Sequence, residues 1–312
     1  LDEIMREGVE DPEELVEGVL LKGKVHHLYA DAGSGKSWTA LGLASKVMEQ
    51  GKTVVYLDKE NGPRTMTDRL NLLGVEPEKV KKLFIYHSDP STSADEGIRQ
   101  AYEEMLDQDE PDLIVVDSWI GFLSDADLNE NDSSDIQKWA RWYLQPARRR
   151  GITVLVLDHV PHGAIRSRGS GRKKEEVDVQ WELHRSESFD RGTVGLVNLR
   201  RKKDREGWLP SKVAFRMGGG NDGFVFERLR SFGEDPRGKL PENQQKILRV
   251  LKDKFDGHVP TDAEWKKGCE EYEEVASSSY YDAKKKLLEK KFIGAKGKGF
   301  VYLEPGAVDD DE

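Results

Sequence analysis

A single cysteine, Cys269, stands in 312 residues, so no disulfide can form within the chain and no cysteine-based metal site is available. That scarcity fits a reducing cytoplasm. No apolar run approaches the length of a membrane span and no signal peptide is visible, so no membrane partner is expected. Basic residues are outnumbered, 49 against 59 acidic, for a net charge of -10. This balance excludes a globally basic nucleic-acid coat, but local cationic clusters remain and matter more than the total. The sequence opens on Leu1 rather than Met, which is compatible with a piece of a longer protein.

What is present begins with Ala30-Asp31-Ala32-Gly33-Ser34-Gly35-Lys36-Ser37. A strand-like run, Lys24 to Tyr29, precedes it, and helical apolar spacing follows from Trp38 to Met48. Strand, glycine-rich loop and helix are the setting a phosphate-binding loop requires. The cradle is expected to run from Ala32 through Gly33, Ser34, Gly35, Lys36 and Ser37 to Trp38. Its backbone N–H groups and the helix N-terminus favour an anion there. Lys36 is expected on the β- and γ-phosphates of ATP, and the Ser37 hydroxyl on Mg²⁺. Ala30 replaces the first glycine of the motif, and a methyl still fits the turn.

Between residues 24 and about 230, strand-like and helix-like segments alternate. Strands are expected at 24–30, 53–58, 83–87, 112–117, 152–158, 193–199 and 223–228. Helices are expected at 36–50, 62–73, 94–106 and 132–149. The rhythm predicts an α/β fold with a mostly parallel sheet, the last two strands forming an antiparallel extension.

Three strand ends carry polar residues to the edge where ligands sit in such sheets. Asp112 to Asp117 reads as a Walker B strand, its Asp117 carboxylate holding Mg²⁺ through water. Val54 to Leu57 delivers Asp58 and Glu60, and Glu60 is the expected general base, with Asp58 either a supporting contact or the end of the strand. Val154 to Leu157 delivers Asp158 and His159, and His159 could donate to the γ-phosphate. A metal site at His159 and His162 is disfavoured, because the pair lacks the glutamate and helical spacing of a metalloprotease. A cationic turn, Arg200 to Gly207, suits insertion into a neighbouring subunit's site.

The order of these motifs resembles the RecA-like hexameric helicases, particularly the plasmid RepA type and its phage relatives. The resemblance covers residues 20–230. It rests on the phosphate loop, Glu60 after the second strand, the 112–117 strand, His159 followed by Arg168-Gly169-Ser170, and Lys203-Asp204-Arg205-Glu206-Gly207. It implies a Mg²⁺-dependent ATPase acting on DNA as a hexameric ring, with replication proteins as possible partners. By the same resemblance, Lys203 and Arg205 act on the adjacent subunit's γ-phosphate and Arg69 stacks on the base. A recombinase-like filament ATPase, or an ATP-switched regulator or loader, is the alternative.

The segment after His159 holds Arg166, Arg168, Ser170, Arg172, Lys173 and Lys174 among glycine and serine. Such a loop can follow a single-stranded DNA backbone through its phosphates. The expected organisation is an acidic leader or linker (1–18), the ATPase domain (19–230), a linker (231–241), a winged helix-turn-helix (242–303) and an acidic tail (304–312). In the small domain, Lys284, Lys285 and Lys286 are expected exposed, with Lys296 and Lys298 on the hairpin. DNA binding and protein docking are equal readings for it.

Overall fold

Leu113-Ile114-Val115-Val116 is apolar at four successive β-favouring positions, a pattern that suits a strand covered on both faces. The computed structural model, which describes residues 12–93, 95–159, 171–220, 223–229, 240–255, 257–273, 275–289 and 292–302, builds its larger unit around such strands. The chain divides into two units, Leu1–Leu229 and Arg230–Glu312.

The larger unit opens with β1 (Glu14–Val16), β2 (Leu20–Leu21) and β3 (Val25–Ala30), followed by α1 (Lys36–Glu49). Next come β4 (Val54–Asp58), α2 (Pro63–Leu72), α3 (Pro77–Leu83), β5 (Phe84–Ser88) and α4 (Glu96–Asp109). Then follow β6 (Leu113–Asp117), α5 (Trp119–Asp125), α6 (Ser133–Trp139), a π-helical turn (Ala140–Leu144), α7 (Gln145–Arg149) and β7 (Thr153–His159). The unit closes with α8 (Arg172–Glu176), β8 (Val179–Arg185), β9 (Val194–Asp204), β10 (Lys212–Gly220) and β11 (Gly223–Leu229).

One nine-stranded sheet runs β11-β10-β9-β8-β3-β7-β6-β4-β5. From β8 to β5 every neighbouring pair is parallel, and β9, β10 and β11 add an antiparallel extension. Alternate residues of β6 enter two separate cores. Leu113 and Val115 join α1 and α2 on one face, while Ile114 and Val116 join α4 to α7 on the other. The fold class is the expected one.

Four details differ from expectation. Residues 14–18, expected in the leader or linker, join the fold instead: Leu15 and Val16 are buried in the α1 core with Val19, Leu20 and Leu21, and Gln50 Nε2 donates to the Leu15 carbonyl at 3.0 Å. The extension contains β10, whose alternating Val213, Phe215 and Met217 are buried but whose three terminal glycines read as a turn. They lie in a strand because the neighbouring backbone comes close; a Cβ on Gly219 would sit 1.7 Å from the Arg191 carbonyl oxygen. The strand β8 is missing from the sequence reading because its run Gln180, Glu182, His184 and Arg185 dilutes the apolar signal. The helix expected over 132–149 contains the π turn, which ends just ahead of Pro146, a residue with no N–H to continue a regular ladder.

The smaller unit holds α9 (Glu242–Phe255), β12 (His258–Val259), α10 (Asp262–Glu273), α11 (Ser277–Glu289), β13 (Ile293–Lys296) and β14 (Gly299–Tyr302). Its sheet is antiparallel in the order β12-β14-β13. Ile247, Leu251, Trp265, Tyr280 and Leu287 form its core, and Glu264 N donates to Thr261 Oγ1 at 3.3 Å at the start of α10. Lys284 is not free on the surface as expected: its ammonium lies 2.6 Å from Asp262 Oδ2. Lys286 pairs with Asp282 at 2.9 Å, so α11 offers less uncompensated positive charge than its sequence does.

Candidate functional site

The strand β3 delivers the chain to the sheet edge, where it turns through Asp31 to Gly35 before α1 begins at Lys36. Gly35 has φ 100, and a Cβ there would lie 2.7 Å from the Phe189 ring. Both the backbone conformation and the close ring demand glycine. Ser34 Oγ donates to the Asp31 carbonyl at 2.6 Å and closes the turn. The Lys36 side chain is buried, with Nζ donating to the carbonyls of Ala30 and Asp31, each at 3.1 Å. Burial lowers its pKa, against the opposing charges of Glu60, Asp117, Asp158 and Asp31.

Three parallel strands bring the expected polar residues to this loop. Lys36 Nζ lies 3.2 Å from His159 Nδ1, and His159 Nε2 lies 2.7 Å from Glu60 Oε1. An ammonium can only donate, so Nδ1 accepts and Nε2 carries the proton it gives to Glu60. Ser118 Oγ donates to the same Glu60 oxygen at 2.5 Å. Burial raises the Glu60 pKa, but the bonds from His159 and Ser118 outweigh it and hold the carboxyl below its ordinary range. Glu60 is thus ionised and partly open to solvent, as a base requires.

Asp58 takes no such part. Its Oδ1 accepts from the N–H groups of Glu60 and Asn61 at 2.9 and 3.0 Å, and its Oδ2 from Gly62 N and Tyr86 OH at 3.1 and 2.8 Å. It ends β4 and shapes the turn that presents Glu60. Asp117 is fully buried; Oδ2 accepts from Tyr56 OH at 2.8 Å and from Asn61 Nδ2 at 3.2 Å. The peptide after it, Asp117–Ser118, is cis. Its Oδ1 has no partner among the described residues. Burial, then the charge of Glu60, raises its pKa to about 6, opposed by the nearby Ser37 hydroxyl and the bond from Tyr56. A buried carboxylate oxygen without a donor, beside the Ser37 hydroxyl, is a donor set that fits Mg²⁺. When bound there, the ion would supply positive charge to the phosphates; Ser37 and Asp117 are the residues that would hold it.

A cavity of about 510 Å³ opens beyond the loop, lined by Gly33, Lys36, Trp38, Arg69, Phe189 and Phe224 among others. Trp38 stacks on Phe224 with centroids 4.1 Å apart. The Arg69 guanidinium lies 5.1 Å from the Trp38 ring centroid and donates to Asn61 Oδ1 at 3.0 Å. Planar groups thus gather at the end of the cavity where a base would lie. Across it, Arg191 pairs with Asp68. Arg185, at the end of β8, donates from Nη1 to the Gly33 carbonyl at 3.2 Å. Sequence reading missed Arg185, Asn61, Tyr56 and Ser118. Arg185 ends β8, a strand whose polar residues mask it in the sequence, and the other three matter only through partners distant in sequence.

Other expected residues lie elsewhere. β9 runs antiparallel to β8 with Lys203 opposite Gln180, which places Lys203 and Arg205 at the sheet edge opposite the phosphate loop. Lys203 Nζ is taken up by the carbonyls of Lys174 and Val177 at 2.7 and 2.6 Å. Arg205 donates to the Glu175 carbonyl at 3.2 Å and lies 3.6 Å from Asp178. Neither reaches its own subunit's site.

The cationic loop reading fails at Lys173. Its side chain is fully buried, 2.8 Å from Asp158 Oδ2 and 3.8 Å from Glu130, with Nζ 5.4 Å from the Trp119 ring centroid. A buried cation among carboxylates is a structural partner, not a phosphate ligand. Arg172 pairs with Glu175 and Glu176, each at 2.8 Å, while Lys174 is exposed. Arg166, Arg168 and Ser170 lie outside the described residues.

Residues 5–164 match the protein-family model described as "AAA domain". Among curated proteins, the chain is similar to the DNA repair and recombination protein RadB of Methanobrevibacter smithii, 29% identical over 150 residues, which are 47% of this chain and 63% of that one. It is also similar to Protein RecA of Synechocystis, 24% identical over 200 residues, 59% of this chain and 54% of the relative. The chain thus spans less than two thirds of either relative's length. A KaiC-like protein of Pyrococcus horikoshii superposes with a TM-score of 0.51 at 15% identity, over 69% of this chain and 99% of that chain, a likeness of fold alone. The domain is a RecA-like P-loop NTPase; none of these three similarities is specific to the plasmid RepA helicases. No helix of the described residues is long and apolar enough to cross a membrane.

Proposed function

We propose that this chain, which belongs to the AAA domain family, hydrolyses ATP with Mg²⁺ and couples the cycle to work on DNA as a homo-oligomer. The observation that carries the ATPase reading is the line Lys36–His159–Glu60 at the phosphate loop. It joins a phosphate cation, a polar reporter and an ionised carboxylate in one hydrogen-bonded row. Glu60 orients and deprotonates the attacking water, Lys36 neutralises phosphate charge, and His159 links the two. Ser37 and Asp117 would hold the metal.

Action on DNA rests on the resemblance of the motif order and on the printed names of two relatives, a repair and recombination protein and RecA. A helicase or translocase that moves along single-stranded DNA is the first reading. Those relatives favour a second, a recombinase-like ATPase that forms filaments. ATP turnover with and without single-stranded DNA, strand displacement on a forked duplex, and particle images of the assembly separate them. Rings with displacement support the helicase, and filaments without it support the recombinase. Turnover indifferent to DNA rejects both.

A further inference from the structure

The strand β8 lies beside β3 and parallel to it, with His26 to Tyr29 opposite Val179 to Glu182. Its last residue, Arg185, therefore emerges at the edge that carries the phosphate loop and lines the same cavity as Lys36. The other cations of that cavity are already engaged. Arg191 is paired with Asp68, and Arg69 is turned to Trp38 and Asn61. Lys36 lies among the carboxylates of Glu60, Asp117, Asp158 and Asp31. Arg185 is exposed, holds only the Gly33 carbonyl, and has no carboxylate partner among the described residues. A guanidinium without a counter-charge, resting on the phosphate loop, is complementary to a polyphosphate.

We propose that Arg185 binds the phosphate chain of the nucleotide held by its own subunit's phosphate loop. The proposal rests on the ATPase reading and adds a residue to it. It also alters the logic of the site. A phosphate-binding arginine is supplied within the chain, by the parallel strand β8, so phosphate binding does not wait for a neighbouring subunit. Arg205, held at the opposite edge, serves only where an oligomer brings it to another site.

Binding of fluorescent ATP, ADP and adenosine analogues to the wild type, Arg185→Ala, Arg185→Lys and Lys36→Ala tests this. Arg185→Ala is expected to weaken ATP and ADP analogues by ~10–100-fold, the range for hydrogen bonds to charged groups. The adenosine analogue is unaffected, and Arg185→Lys recovers part of the loss. Equal affinities for the wild type and Arg185→Ala overturn the proposal, as does an equal loss with adenosine. Turnover in an equimolar mixture of Arg185→Ala with Lys36→Ala stays as low as in either alone. Recovery in that mixture overturns the assignment within one subunit. If the wild type binds no nucleotide, or Lys36→Ala binds as well as the wild type, the ATPase reading itself falls. If Lys36→Ala alone is defective, only the role of Arg185 falls.

Discussion

His159 Nε2 lies 2.7 Å from Glu60 Oε1, although 99 positions separate the two residues along the chain. The bond joins the end of β7 to the turn after β4 across the intervening β6. It places a proton donor on the carboxylate that would activate water. Because the other ring nitrogen faces Lys36, any displacement of that ammonium by phosphate is felt at Glu60 through one rigid ring.

Glu60→Gln keeps the shape of the side chain and removes the base. ATP binding is expected to persist while single-turnover hydrolysis falls ~100-fold or more. Turnover within about twofold of the wild type would place the base elsewhere. Asp58 is then a poor substitute, since both of its oxygens are committed to the β4 turn.

Lys36→Ala removes the phosphate cation from a site that holds four carboxylates nearby. Hydrolysis is expected to fall ~100-fold or more. A folded Lys36→Ala protein with undiminished turnover would refute the site.

Asp117 gives a pH dependence whose sign can be worked out. Its folded-state pKa is raised to about 6 from 3.8, mainly by burial, so the ionised form is the disfavoured one in the metal-free protein. The cost is absent below about pH 4, grows as pH rises, and is complete above about pH 6. Asp117→Asn is therefore expected to stabilise the metal-free protein at pH 8 by ~1–3 kcal/mol, and not at pH 4. It should also abolish Mg²⁺-dependent turnover. In the wild type, the Mg²⁺ concentration for half-maximal activity should rise as pH falls through about 6, because protons and metal compete for one carboxylate. Urea titrations at the two pH values and Mg²⁺ titrations of activity measure both. A pH-independent stability difference would contradict the assignment.

Lys173 and Lys174 are neighbours in sequence with opposite expected behaviour. Lys173→Ala removes the ammonium from the buried Asp158, leaving it His27 at 3.4 Å and the His159 N–H, and should cost ~3–5 kcal/mol in denaturant unfolding. Lys174→Ala, at an exposed position, should change stability by less than about 0.5 kcal/mol. Equal stability of the two variants would show that the Lys173 ion pair does not matter.

Arg205→Ala tests the oligomer. The protein should fold and bind ATP, yet turn over slowly if its guanidinium serves a neighbour. Mixing it with Lys36→Ala should restore some turnover, because a mixed interface joins an intact phosphate loop to an intact Arg205. Full activity of Arg205→Ala alone rejects the role.

The local chemistry of this chain was legible before any fold. Residues 30–37 dictate a phosphate loop because backbone conformation, helix start and side-chain type all sit within a few consecutive positions. The apolar runs ending at Asp58, Asp117 and His159 likewise announce strands whose ends meet at one edge, since parallel strands put all their C-termini on the same side. What the tertiary structure alone decided is who meets whom. Glu60 and His159 share a bond because β4 and β7 flank β6, an order that no local pattern encodes. Lys173 and Lys174 look alike in sequence, yet one faces Asp158 in the interior and the other faces solvent. Arg185 reaches the loop, and Arg205 does not, because β8 runs with β3 and β9 runs against it. Local sequence sets the conformation of a segment, whereas burial and partner depend on strand order and direction, which are settled by the packing of the whole chain.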